Sequence, residues 1–242
     1  IGDGNFDIEV GVDPDYEALE MKVGSYINAE GKVVRDAADA VGIVFKMEAI
    51  GSDVPANYPV ALQGKTIAGY AVAIENVATG RQVLNNAAMS SLVTTDATVT
   101  NGTQATDALL TGIGEVAFMT TYNSWVNEHP LDGESLSSWY IPTVDQLGEF
   151  MGMLFKIGEV EPTGGQAFRE MPEFAFENGV MFDRDPIESV YYASCTVNGS
   201  KDISGVIINV DKTTKQVLDA KASSLKVTGS SQKALCLSLI HI

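Results

Sequence analysis

The residues from Trp139 to Phe155, WYIPTVDQLGEFMGMLF, impose the tightest local constraint in the chain. Trp139-Tyr140-Ile141 reads as a short aromatic strand that runs directly into a helix. The Thr143 hydroxyl is placed to cap the first turn, and Gln146 three residues on can reach back to the cap's own N–H, a capping box ahead of an apolar run. Val144, Leu147, Met151 and Leu154 then recur at helical spacing while Asp145, Gln146, Glu149 and Lys156 point elsewhere, so one face is expected to be buried. Gly148 and Gly152 each weaken a helix by about 1 kcal/mol relative to alanine. They sit four apart on one face, which predicts close packing against a neighbour.

Other segments supply a sheet for that helix to cover. Lys22–Ile27 and Lys32–Val34 flank Asn28-Ala29-Glu30-Gly31, whose glycine can provide the positive φ of a hairpin turn. Gly42 to Ala49 and Gly69 to Val77 are rich in β-branched residues and long enough for buried strands. Between them, Ser52 to Thr66 holds Pro55 and Pro59 and reads as a loop. A single helix is expected from about Ala105 to Asn127, with Leu109, Ile113, Val116, Ala117 and Trp125 on its apolar stripe, ending before His129-Pro130. Ser189–Val197, Ser204–Val210, Gln216–Leu218 and Ser223–Val227 read as late strands, with turns at Asn198-Gly199 and Asp211-Lys212. The stretch 158–188 carries Pro162, Gly164, Gly165, Pro172, Gly179 and Pro186 among many acids, and is expected to be a long irregular excursion. Long loops on rigid scaffolds are where binding residues concentrate.

With 242 residues and 45% apolar content, the chain can bury a sizeable core. Acids outnumber bases 32 to 15, a formal charge of −17, which argues against nucleic acid or an anionic membrane as partner. No apolar run reaches the length of a membrane helix, so no membrane insertion by this segment is expected. The chain opens on Ile1 rather than methionine, which is read as signal-peptide removal or a fragment of a longer protein. Residues 1–20 read as an acidic lead-in or linker. Leu237–Ile242 resembles the translation of a transposase-adapter sequence and is read as a non-native tail, leaving 21–236 as the domain. Cys195 and Cys236 admit either a disulfide or two separate thiols.

A hydrolase needs a nucleophile, a base and an orienter in contact, yet His129 is the one histidine outside the tail and lies in a loop, while Cys195 sits mid-strand. Asp3-Gly4-Asn5-Phe6-Asp7 starts like an EF-hand, but Ile8 stands where that loop requires glycine. Glu161-Pro162-Thr163 lacks the amide residue of a calcium-dependent sugar-binding triplet. Glu173, Glu177, Asp183, Asp185 and Glu188 could gather round calcium, but their spacing defines no ligand set, and a solvated acidic loop is the preferred reading. No cofactor is otherwise implied. Asp183 and Asp185 as paired carboxylates would make the chain a carbohydrate-active enzyme, given a facing cleft.

Four stretches carry a resemblance. Trp139-Tyr140-Ile141-Pro142-Thr143 followed by Gln146-Leu147 resembles the G-W-[YR]-L-P-[ST]-x-x-E-[LW] signature of C-type-lectin-like domains in secreted and surface proteins of Gram-negative gut anaerobes. Ala40–Phe45 is similar to the family's A-I-G-V-V-F strand, and Gly69–Ile74 to its A-V-A-L strand. Tyr191-Tyr192-Ala193-Ser194-Cys195 stands where the family has Y-W-S-S-T, followed by the strand Gly205–Val210. Ser138 replaces the glycine before the tryptophan, Gln146 falls just before the expected glutamate, and Cys195 replaces a threonine.

The resemblance implies an α+β, C-type-lectin-like fold: a curled antiparallel sheet with two flanking helices and long loops. It places both cysteines on late strands of one sheet, where they could be neighbours. It implies a non-catalytic recognition or adhesion module, exported and surface-exposed, in a lipoprotein or fimbria-associated adhesin anchored at the outer membrane. The partner would be a glycan or a host or bacterial surface protein. The residues assigned to ligand binding are Asp183, Arg184 and Asp185 in the excursion, and Asn198, Lys201 and Asp202 in the following turn. Two further readings are a receptor-binding protein diversified by a retroelement and a structural assembly domain of a surface appendage.

Overall fold

The computed structural model describes residues 19–51, 53, 64–74, 77–81, 102–113, 117–132, 134–154, 187–198, 202–211, 216–225, 234–236 and 239–242. The strands are β1 (Tyr26–Ile27), β2 (Val33–Val34), β3 (Gly42–Lys46), β4 (Tyr70–Ala73), β5 (Ala78–Arg81), β6 (Ile187–Val197), β7 (Ile203–Asp211), β8 (Gln216–Leu225), β9 (Ala234–Cys236) and β10 (Leu239–His241). Among the described residues, three α-helices lie between β5 and β6: α1 (Gly102–Ile113), α2 (Ala117–Glu128) and α3 (Val144–Leu154).

The strands form two sheets rather than one curled sheet, in the orders β10-β4-β3-β1-β2 and β5-β9-β6-β7-β8. The first is antiparallel throughout. In the second, β6 and β9 run parallel while the other pairs are antiparallel. Each sheet draws on both ends of the sequence, since the late β10 pairs with β4 and the early β5 with β9. The tryptophan segment and the capped helix therefore sit within one unit built from early and late strands. The tail beyond residue 236 takes part: Leu239, Ile240 and His241 pair with Val72, Ala71 and Tyr70. Such pairing concerns how the residues pack, not where they came from.

Composition explains the layering. In β3 every residue but Lys46 is buried, and all of β4 is buried. Continuous apolar runs of this kind suit central strands covered on both faces. The β1–β2 hairpin forms as its sequence predicts, with Gly31 at φ +78°. The helices cover the second sheet, α1 against β6, α2 against β5, and α3 against β6, β7 and also β3. One core cluster accordingly joins Ile27, Val44 and Ala71 from the first sheet, Leu109 and Trp125 from the helices, Trp139 and Ile141 from the connecting segment, and Cys195 and Val197 from the second sheet.

Several expectations are corrected. The expected helix from Ala105 to Asn127 is two helices, and Gly112, a residue type that weakens helix by about 1 kcal/mol, lies next to the last residue of the first. The strands expected at Gln216–Leu218 and Ser223–Val227 are one strand, β8. The register steps from Asn209↔Asp219 to Val210↔Val217, leaving Leu218 as a bulge that a sequence reading takes for a break. The Trp139 strand is an extended segment in which Tyr140 alone makes a bridge. Its backbone groups are met by side chains instead of a ladder: Tyr122 Oη donates to the Trp139 carbonyl (3.0 Å), and Thr106 Oγ1 both donates to the Ile141 carbonyl (3.1 Å) and accepts from its N–H (2.9 Å).

The capping box is present, with Gln146 N donating to Thr143 Oγ1 (3.2 Å) and Thr143 N donating to Gln146 Oε1 (3.1 Å). Leu147 and Phe150 are the buried apolar residues of α3 whose surroundings are described. Phe150 meets Phe45 of β3 edge to face at 5.2 Å. Gly148 is exposed and a side chain there would meet nothing within 4 Å, so it does not mark the close packing expected of it.

Candidate functional site

Of the six residues assigned to ligand binding, Asn198 and Asp202 are described, and the structure brings them together. They close the turn between β6 and β7, where Asn198 N donates to the Asp202 carbonyl (2.9 Å) and Asp202 N donates to Asn198 Oδ1 (3.0 Å). Both are half-buried, and the strand ends they close, Val197 and Ile203, are fully inside. The Asn198 amide oxygen is thus spent on shaping the turn, as asparagine does in turns generally. Lys201, Asp183, Arg184 and Asp185 lie outside the described residues. Of the acids considered for calcium, Glu188 falls in β6 opposite Val210, while Glu173 and Glu177 lie outside as well. Among the described residues no three His, Cys, Asp or Glu side chains gather as a metal site would require.

The root of this turn is bolted to the helix-entry segment. Cys195 N donates to the Pro142 carbonyl (2.8 Å), and Thr196 Oγ1 accepts from Val144 N (3.0 Å), joining β6 to the first turn of α3. Ser194 Oγ donates to the Ser204 carbonyl of β7 (2.7 Å) and accepts from Thr196 N (3.1 Å). Cys195 itself is a free, fully buried thiol whose Sγ lies 3.8 Å from the Gly102 carbonyl. The alternative of a bridge to Cys236 is therefore corrected. The backbone register sets Cys236 beside Ala193 on the parallel neighbour β9, so Cys195 is two residues further along, roughly 8 Å away by strand rise and strand spacing and beyond disulfide reach. Burial pushes the thiol pKa up to about 12, with a hydrogen bond from Thr106 opposing the rise, so it is no nucleophile near neutrality.

A second buried polar group ties α3 to the first sheet. Asp53 Oδ2 accepts from Tyr70 Oη (2.8 Å) and from Gln146 Nε2 (3.3 Å), while Tyr70 Oη accepts from Ile50 N (3.0 Å). Burial raises the Tyr70 pKa well above that of a free phenol. Gln146 thus serves the cap with one end of its amide and a buried carboxylate with the other.

The sequence reading missed a cleft of about 110 Å³ where α2 ends. It is lined by Val126, His129, Pro130 and Leu131 from the end of α2 and the following residues, and by Ser137, Ser138 and Trp139. His129 stacks on Trp125 at 4.3 Å and 18°, and Trp125 meets Trp139 edge to face at 5.0 Å. The His129 Nδ1–H donates to the Trp125 carbonyl (2.7 Å), and Trp139 Nε1 donates to the His129 carbonyl (2.8 Å). The only sequence trace of this corner was Trp125 and His129 one helical turn apart before a proline. What brings Trp139 onto them is tertiary.

Against known proteins, no protein-family model matches the chain, and no curated protein matches it. Among solved structures it is similar to a fimbrial protein from Bacteroides ovatus ATCC 8483, at 13% identity and a TM-score of 0.50. The likeness covers 92% of this chain and 49% of that one, so the chain spans about half the length of that protein. At this identity the two share a mixed α/β fold.

Proposed function

We propose that the chain is a recognition module of a surface appendage, exported and fimbria-associated, with a C-type-lectin-like arrangement of its sheets and loops. It binds a glycan or a surface protein, without catalysis, through Asp183, Arg184 and Asp185 together with the turn carrying Asn198, Lys201 and Asp202. The observation that carries this reading is the fold shared with a fimbrial protein. The reading is further supported by the rigid mounting of the β6–β7 turn, whose half-buried closing pair stands on fully buried strand ends. Closing residues already fixed in place carry less of the entropy cost of ordering on binding.

A glycan array and a surface-protein array, each run with and without calcium, test the proposal. Binding reduced by Asp202→Ala or Asp183→Ala in a protein of unchanged melting temperature is the expected result. Wild-type binding by both variants would remove this surface. A second reading, a structural assembly domain, is favoured by the same fimbrial neighbour. It predicts no signal on either array and incorporation of the purified chain into polymers.

A further inference from the structure

The cleft at the end of α2 is a separate feature from the β6–β7 turn, and its shape, lining and charge point to one kind of occupant. At about 110 Å³ it is smaller than the roughly 150 Å³ that holds a benzene molecule in a dry protein cavity. A volume of this order suits a branched aliphatic side chain or a proline ring better than a whole pyranose. Val126, Pro130, Leu131 and Trp139 make its lining largely apolar, with Ser137 and Ser138 also in the lining. It offers no broad aromatic platform to a sugar, because Trp139 and Trp125 are only 5% and 8% exposed and Trp125 already covers one face of His129.

The cleft is also held open by the fold. Asp132 N donates to the Ala29 carbonyl in the β1–β2 turn (2.8 Å), Leu136 N donates to the Asp132 carbonyl (3.2 Å), and Lys65 Nζ donates to the Glu134 carbonyl. The loop wall is therefore fixed from two sides before anything binds. Flanking the lining residues in sequence are Glu128, Asp132 and Glu134, all exposed, in a chain of formal charge −17. Glu128 Oε1 accepts from Ser124 Oγ (3.2 Å) and Asp132 Oδ1 from Glu134 N (3.1 Å), and this local excess of carboxylates favours a cation over an anion beside the cleft.

We infer that this cleft is a socket for a partner polypeptide that presents one aliphatic or proline side chain beside a lysine or arginine. The inference deepens the recognition reading above and rests on it for the existence of a macromolecular partner. Binding would seat the apolar group against Trp139 and set the cation toward Glu128 and Asp132, giving a contact that weakens as salt rises.

The test uses the intact ¹⁵N-labelled chain and an array of short synthetic peptides carrying Val, Leu, Ile or Pro next to Lys, with Asp-flanked versions and methyl glycosides alongside. Saturable shifts of the Trp139 indole N–H with the Lys-flanked peptides alone are expected. Ser138→Trp, which fills the mouth from an exposed position, should abolish them. Glu128→Gln combined with Asp132→Asn should weaken binding about fivefold and flatten its salt dependence. An unmoved Trp139 resonance in a folded protein, an equal response to Asp-flanked peptides or to glycosides, or unchanged binding by Ser138→Trp would overturn the socket. Array binding that is lost in Asp202→Ala but intact in Ser138→Trp would overturn the socket while leaving the turn's role standing. Loss of array binding in Ser138→Trp alone would do the reverse.

Discussion

At the scale of single residues, a glycine in α1 and one in α3 make opposite demands. A Cβ built on Gly102 would lie 2.2 and 2.3 Å from ring carbons of Tyr140 and 2.8 Å from Gln146 Oε1, and Tyr140 is fully buried. Gly102→Ala is therefore expected to cost about 1–3 kcal/mol through overpacking. Gly148→Ala, with open space around it, should gain up to about 1 kcal/mol in helix propensity. Urea denaturation of both variants checks the pair, and equal signs would contradict the packing described. Cys195 makes a pH prediction. Its thiol pKa is raised from 9 to about 12 by burial, so the folded state holds the proton more tightly than the unfolded chain. Its contribution to stability is full below pH 9 and is lost as pH rises from there towards 12. Stability measured across that window should fall less steeply in Cys195→Ala than in the parent, with the remaining slope shared by Tyr70, whose pKa burial also raises.

Elements were legible in the sequence where their cause was local. The capping box needed only Thr143 and Gln146, and it formed as read; the Asn28–Gly31 turn needed only its glycine. Elements were misread where the deciding interaction lies far away in sequence. The Trp139 segment looks like a strand because its residues favour one, yet Thr106 and Tyr122 meet its backbone with hydroxyl groups from α1 and α2. The Leu218 bulge depends on β7, and the cleft on the distance from α2 to Trp139. Of the candidate site, the sequence made Asn198 and Asp202 visible as a turn, whereas their mutual hydrogen bonds are a property of the paired strands. The capping box also carries a prediction. Thr143 is fully buried, so Thr143→Ala leaves the Gln146 N–H without its acceptor and should cost about 1–2 kcal/mol, at the upper part of the range for helix caps. For a chain of this length that corresponds to a fall in Tm of roughly 2–8 °C, readable by circular dichroism.

For the whole molecule, the defining arrangement is that early and late strands share both sheets. Neither sheet can be completed from one end of the chain, and one core cluster spans both. Unfolding followed by far-ultraviolet circular dichroism and by a probe of side-chain packing should therefore give coincident transitions. Separated midpoints would mean that the two sheets are independent units. The same arrangement demands many contacts between residues distant in sequence, which slows folding relative to helical proteins of similar size. The packing probe already exists in the chain. Its only two tryptophans, Trp125 and Trp139, touch each other and His129 beside the cleft. Intrinsic emission is thus a single-site optical reporter: a quenching or blue shift on adding a peptide would register occupancy at that corner, with no label attached.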